Sequence, residues 1–105
     1  MNLIAVYTTV ATLQDAQRIA QALVERKLAA CAQISEIESF YFWNGAVQHE
    51  PERCILLKTT TDRYAAVESA IRELHPYELP AIHAVPIELA SSQYAAWVEE
   101  GSRGE

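Results

Sequence analysis

Two donor groups three residues apart raise the question of chemistry in this chain: the imidazole of His75 and the carboxylate of Glu78, in the stretch LHPYELP. Imidazole is the commonest metal ligand among side chains, and with a carboxylate oxygen it suits Cu(II) or Zn(II). Cys31 adds a thiol, whose thiolate would favour a softer ion. These three are the candidate metal ligands. The same residues also have plain structural uses. A histidine at a helix end bonds the last carbonyls, and Cys31 and Cys54 can be packed, inert thiols. No CxxC, HxxxH or paired Cys/His cluster occurs to decide between the two.

Catalysis is less well provided for. No Ser-His-Asp set is recognisable, and three glycines leave little room for a phosphate-cradling loop. The chain is therefore read as a non-enzyme with no tightly bound cofactor. Trp43, Lys58 and Tyr77 form a second set. Lys58 closes the apolar run ILLK, so its ammonium must reach water or an anion, while Trp43 and Tyr77 could line a cleft between subunits. Snorkelling and packing are the bland uses of the same residues.

Hydrophobic period gives the elements that must position these groups. NLIAVYTT (2–9) is β-rich and apolar at nearly every position, as in a central strand buried on both faces. Thr12 starts a helix with Asp15 as a capping-box partner. Its buried stripe is Leu13, Ala16, Ile19, Ala20, Leu23 and Val24, and Arg26 and Lys27 sit in its last turn. Residues 29–43 and 46–59 read as two long strands about an Asn44-Gly45 hairpin turn, and Pro51 predicts a bulge or break at 49–52. Thr61 or Asp62 caps a second helix with the stripe Tyr64, Val67, Ala70, Ile71 and Leu74, which Pro76 stops by His75. A fourth strand at 82–88 follows, then a short helix from Ser91 or Ser92 carrying Tyr94, Trp97 and Val98. GSRGE (101–105) reads as a frayed terminus.

The order β-α-β-β-α-β predicts one ferredoxin-like α+β domain over 1–105, a sandwich with a long hairpin and a short C-terminal helix. Right-handed crossovers put both long helices on one face of a four-stranded antiparallel sheet. Yet Leu3, Ala5 and Tyr7 alternate with Ile4 and Val6, so both faces are apolar. Phe40, Tyr41, Phe42 and Trp43 also run straight into a turn that would be wet. An obligate oligomer, packed sheet to sheet with the hairpin arm on a neighbour, removes both liabilities. With Trp43 facing Ala46, Cys31 faces Lys58 and Cys54 faces Ser35. The thiols are then roughly 13 Å out of register, beyond the ~7 Å reach of a disulfide.

Composition narrows the partners. The net charge is −6, and Arg26-Lys27 is the only adjacent positive pair, which argues against nucleic acid. The start carries no positive n-region and soon reaches polar residues, so neither a signal peptide nor a membrane span is expected. Two cysteines suit a reduced, cytoplasmic protein.

Five stretches stand together in a familiar order and spacing: ERKLAACAQI (25–34), FYFWNG (40–45), ILLKTT (55–60), LHPYELPAI (74–82) and YAAWV (94–98). The chain resembles the CutA family of divalent-cation tolerance proteins over nearly all of residues 2–98. That resemblance implies a ferredoxin-like homotrimer, related in architecture to the PII signalling proteins. It also implies a link to copper and other metal ions, with no established enzymatic activity. Some members carry a second histidine just before the one matched by His75, and a cysteine on the first strand; here those positions are Leu74 and Tyr7. The functions in competition are metal response with weak binding of Cu(II) or another divalent cation, PII-like sensing of a small molecule or partner, and a purely structural trimer.

Overall fold

The computed structural model describes residues 2–104. Along the chain lie β1 (Leu3–Val10), α1 (Leu13–Glu25), β2 (Cys31–Trp43), β3 (Ala46–Thr60), a 3-10 turn (Thr61–Arg63), α2 (Tyr64–Leu74), β4 (Ile82–Ile87) and α3 (Ser92–Gly101). The sheet order is β2-β3-β1-β4, antiparallel throughout, which is the split βαβ, ferredoxin-like arrangement. Ile4, Val6 and Val10 of β1 join Ile55 and Leu57 of β3 in one core with Ala16, Ile19 and Leu23 of α1 and Val67 and Ile71 of α2. Both long helices therefore cover the same face.

Leu3, Ala5 and Val98 are buried but lie outside that cluster. They belong to the opposite face, where α3 packs on β3 and β1. Part of the face expected to be bare is thus covered by the chain's own third helix. The remainder, from Tyr7, Cys54 and Leu56 to Val85, is half-buried or exposed.

Local chemistry explains the helix ends. Thr12 Oγ1 accepts the Asp15 N–H at 3.1 Å, but the Asp15 carboxylate takes Arg18 at 3.2 Å and does not close the expected box. Leu13 and Val24, read as part of the buried stripe, lie exposed on its flanks. At the far end of α1, Leu28 N–H reaches Leu23 O and Lys27 N–H reaches Val24 O, a Schellman motif that puts Lys27 at φ 56° where glycine would be usual. Arg18 also bonds the Leu74 carbonyl at 2.8 Å, tying α1 to the end of α2.

The hairpin departs from expectation in one respect. Asn44 (φ 53°) and Gly45 (φ 77°) form the anticipated turn, and pairing runs unbroken from Trp43–Ala46 to Cys31–Lys58, straight through Glu38–Pro51. No bulge interrupts it. A two-residue turn is flanked by a hydrogen-bonded pair, and bonded pairs alternate, so Glu38–Pro51 is a non-bonded pair. The N–H that Pro51 lacks would point away from β2, on the side where β1 has already ended opposite Arg53. Beyond that point the arm is a bare two-stranded ribbon. It stretches the longest dimension to 46 Å and the radius of gyration to 14.2 Å, against about 13 Å for a compact chain of this length.

Two further expectations are corrected. Neither Thr61 nor Asp62 caps α2: the N-cap position is Arg63, which makes no side-chain cap bond, and Asp62 serves another partner. The tail is docked rather than frayed. Ser102 is fully buried, with its hydroxyl on the Val98 carbonyl at 2.7 Å. Arg103 grips Asp62 with both terminal nitrogens at 2.8 and 3.1 Å and also reaches Thr60. That guanidinium, with help from the Thr60 hydroxyl, holds the Asp62 carboxyl well below the usual carboxylate range. Gly104 lies so close to the Arg26 carbonyl that a Cβ would stand 2.2 Å from it. Glu105 falls outside the described residues.

Candidate functional site

Pro76 denies α2 a further turn, and His75 leaves it in extended geometry (φ −78°, ψ 135°). That bend carries the His75 ring across to the sheet. Its Nε2 lies 2.8 Å from the Thr9 carbonyl, which can only accept, so Nε2 bears the proton; its Nδ1 accepts the Tyr77 backbone N–H at 3.1 Å. Only 8% of the residue is exposed. Burial pushes the imidazole below its ordinary pKa, with the Thr9 carbonyl pulling the other way. His75 is a neutral structural pin with both nitrogens taken, and ligation would require breaking one of these bonds.

The pin continues into Tyr77, whose ring lies 4.9 Å from the imidazole and whose hydroxyl donates to Glu52 Oε2 at 2.9 Å. Burial first, and the Glu52 carboxylate second, push the phenol above its ordinary range. Glu52 is itself buried, at 7% exposure. This chain of contacts fastens the loop after α2 to β1 and β3.

The three proposed ligands are therefore not assembled. Glu78 is exposed, and Cys31 lies far along the sheet. Thr9 pairs with Cys54 and Lys58 pairs with Cys31, a separation of four residues along β3, or roughly 13 Å. Among the described residues no group of three or more His, Cys, Asp or Glu could hold a metal ion. Cys31 and Cys54 are free and half-buried, less enclosed than packed thiols; burial pushes the Cys54 thiol up. The second set is dispersed as well. Lys58 stands 5.5 Å over the Tyr94 ring, which stacks on Trp97 and places its hydroxyl 3.9 Å from Cys31 Sγ. Tyr77 lies at the other end of β3, and Trp43 at the arm tip.

One group that the sequence reading passed over lies on the arm. His49 stacks on Phe40, with centroids 4.0 Å apart and planes 7° from parallel, and its Nε2 lies 3.4 Å from Glu38 Oε2. The hairpin register alone places these residues on one face, so their proximity follows from the Asn44-Gly45 turn.

The CutA1 divalent ion tolerance protein family matches residues 4–101. The chain belongs to that family. The divalent-cation tolerance protein CutA of Archaeoglobus fulgidus is 37% identical over 95 residues, covering 90% of this chain and 93% of its own. The protein of the same name from Pyrococcus horikoshii is 33% identical over 101 residues, covering 96% and 99%. Among solved structures, that of the periplasmic divalent cation tolerance protein CutA from Archaeoglobus fulgidus superposes with a TM-score of 0.93 at 35% identity, over 96% of this chain and 99% of that one. The CutA1 description names a tolerance function and no reaction. No helix among the described residues is long and apolar enough to cross a membrane.

Proposed function

We propose that this CutA1-family chain serves the response to divalent cations as a cytoplasmic homotrimer, with weak and reversible binding of Cu(II) or a similar ion and no resident cofactor. The observation that carries self-association is the arm. Phe40, Phe42, Trp43 and Val47 are 66%, 70%, 54% and 66% exposed on a ribbon that extends beyond the end of β1. Such a patch needs a partner surface, and the half-open sheet face around Tyr7, Leu56 and Val85 is apolar in the same way. The cation reading draws on the tolerance named for its relatives, and on imidazole and carboxylate donors as the available chemistry. Two free cysteines suit a reducing compartment.

Sedimentation equilibrium and calorimetric titration with Cu(II), Zn(II) and Ni(II) test the two halves separately. A folded monomer at micromolar concentration would refute the assembly, and calorimetric silence across the metals would refute the cation contact. Small-molecule sensing has one observation in its favour: a cavity of about 670 Å³ bordered by Arg26, Lys27, Ser69 and Arg103. Lys58, Tyr77 and Glu78, which suggested that reading, do not line it.

A further inference from the structure

We infer that the cation contact is made by His49 and Glu38 on the outer face of the hairpin arm. This rests on the cation reading above and gives it a location. Three features of the pair meet what a divalent ion requires. The first is the donor set, one imidazole nitrogen and one carboxylate oxygen, which suits Cu(II) or Zn(II). The second is the separation. Two ligands at about 2.0–2.1 Å are about 3.4 Å apart around tetrahedral Zn(II) and about 2.9 Å apart in cis positions of tetragonal Cu(II). His49 Nε2 stands 3.4 Å from Glu38 Oε2, so Zn(II) fits as the pair stands and Cu(II) fits after a closure of about 0.5 Å.

The third is orientation without enclosure. His49 faces Phe40 across the ladder, and the near-parallel stack fixes the ring plane so that Nε2 points at the carboxylate of the diagonal neighbour. Both side chains remain open, at 53% and 71% exposure, so an ion can enter and water can complete its shell. His75 has the opposite character: it is buried, with both nitrogens bonded. His83, the remaining imidazole, is stacked on Tyr7 with centroids 5.1 Å apart, and no carboxylate bonds to it among the described residues.

The neighbouring charges supply a second handle. Glu36 lies on the same face, two residues from Glu38, but its carboxylate is held by Arg53 at 3.2 Å. Freeing Glu36 raises the local negative charge and offers the ion a further oxygen.

The test is calorimetric titration of full-length, tag-free protein with Cu(II), with the copper EPR spectrum recorded in parallel. H49Q and E38Q are each expected to weaken binding at least tenfold, and H49Q to erase the imidazole-nitrogen splitting from the spectrum. H75Q and H83Q should bind as wild type does, and R53Q should tighten binding. Because His49 and Glu38 are exposed, circular dichroism should show the variants folded. Wild-type-like binding and an unchanged spectrum in H49Q would overturn the location alone. Silence of the wild type would instead overturn the cation contact on which the location rests.

Discussion

Trp43→Ala separates the arm's role in assembly from its role in the single chain. A tryptophan side chain offers at most roughly 250 Å², and Trp43 keeps 54% of its surface exposed. Complete cover by a neighbour would remove about 135 Å², which at about 25 cal/mol per Å² is about 3 kcal/mol per copy. Inside one chain the same side chain holds little together, so the truncation should cost the fold no more than about 0.5 kcal/mol. The expected result is a fold that survives and an assembly that does not. The overall dissociation constant should rise by about two decades per copy in the assembly, measured by sedimentation equilibrium across a dilution series. The second tryptophan, Trp97, can be removed as Trp97→Phe, leaving emission from Trp43 to report whether it leaves water on association. Coincident dilution curves for wild type and Trp43→Ala, with red-shifted Trp43 emission in the concentrated sample, would refute the reasoning.

Three other outcomes follow from named contacts. His75 has its folded pKa depressed by burial, so the unfolded chain takes the proton first. Its stabilising share is complete above about pH 6.5 and declines as pH falls toward the folded value, by at most about 1.4 kcal/mol per unit. Urea midpoints measured between pH 7.5 and 5 should therefore fall in wild type and flatten in His75→Gln. Arg103→Ala should raise the Asp62 carboxyl toward the ordinary range, with the Thr60 hydroxyl still holding it partly down, and speed amide exchange over residues 99–104, both read by NMR; an unmoved Asp62 titration would show that Arg103 does not set it. Thr8 is fully buried with no partner for its hydroxyl among the described residues, so Thr8→Val should raise the unfolding free energy by about 1 kcal/mol, and a loss in urea melts would reveal an undetected hydrogen bond.

What the sequence could tell was what neighbours in sequence decide. Asn44-Gly45 fixes the turn, the turn fixes the register, and the register correctly set Cys31 against Lys58 and Cys54 against Ser35. The helix stripes, the stop at Pro76 and the caps at Thr12 and Ser91 are equally local. The misreadings at His75 and at the tail involve partners far away in the chain. His75 finds the Thr9 carbonyl 66 residues back, and Arg103 finds Asp62 across 41 residues; nothing near either residue announces its partner. Pro51 failed for a different reason. Residue type forbids one hydrogen bond, but whether that bond is needed depends on which way the nitrogen points and where the adjacent strand ends. His49 and Glu38 were within reach of the register arithmetic, but a search for familiar ligand spacings along the sequence passes over a pair that meets diagonally across a ladder.

The straight passage of the ladder through Pro51 also decides which groups the arm presents on each side. Alternation puts Ile37, Tyr41 and Trp43 on the face that continues the half-open side of the sheet, with Glu50 opposite and bonded to the Tyr41 hydroxyl. It puts Glu36, Glu38 and Phe40 on the other face, with His49 and Arg53 opposite. A neighbour that covers Trp43 by lying against the sheet side therefore leaves the His49–Glu38 edge facing outward. A one-residue bulge at 49–52 would have shifted one strand against the other there and turned the arm's side chains to the opposite face beyond it, parting His49 from Glu38. Trp43 and the His49–Glu38 pair occupy opposite sides of an uninterrupted register, so a neighbour lying on the Trp43 side alone leaves the pair open, whereas one that also covers Phe40, Phe42 and Val47 competes with the ion. The same geometry makes assembly and cation contact separable by mutation: Trp43→Ala acts on one side and His49→Gln on the other.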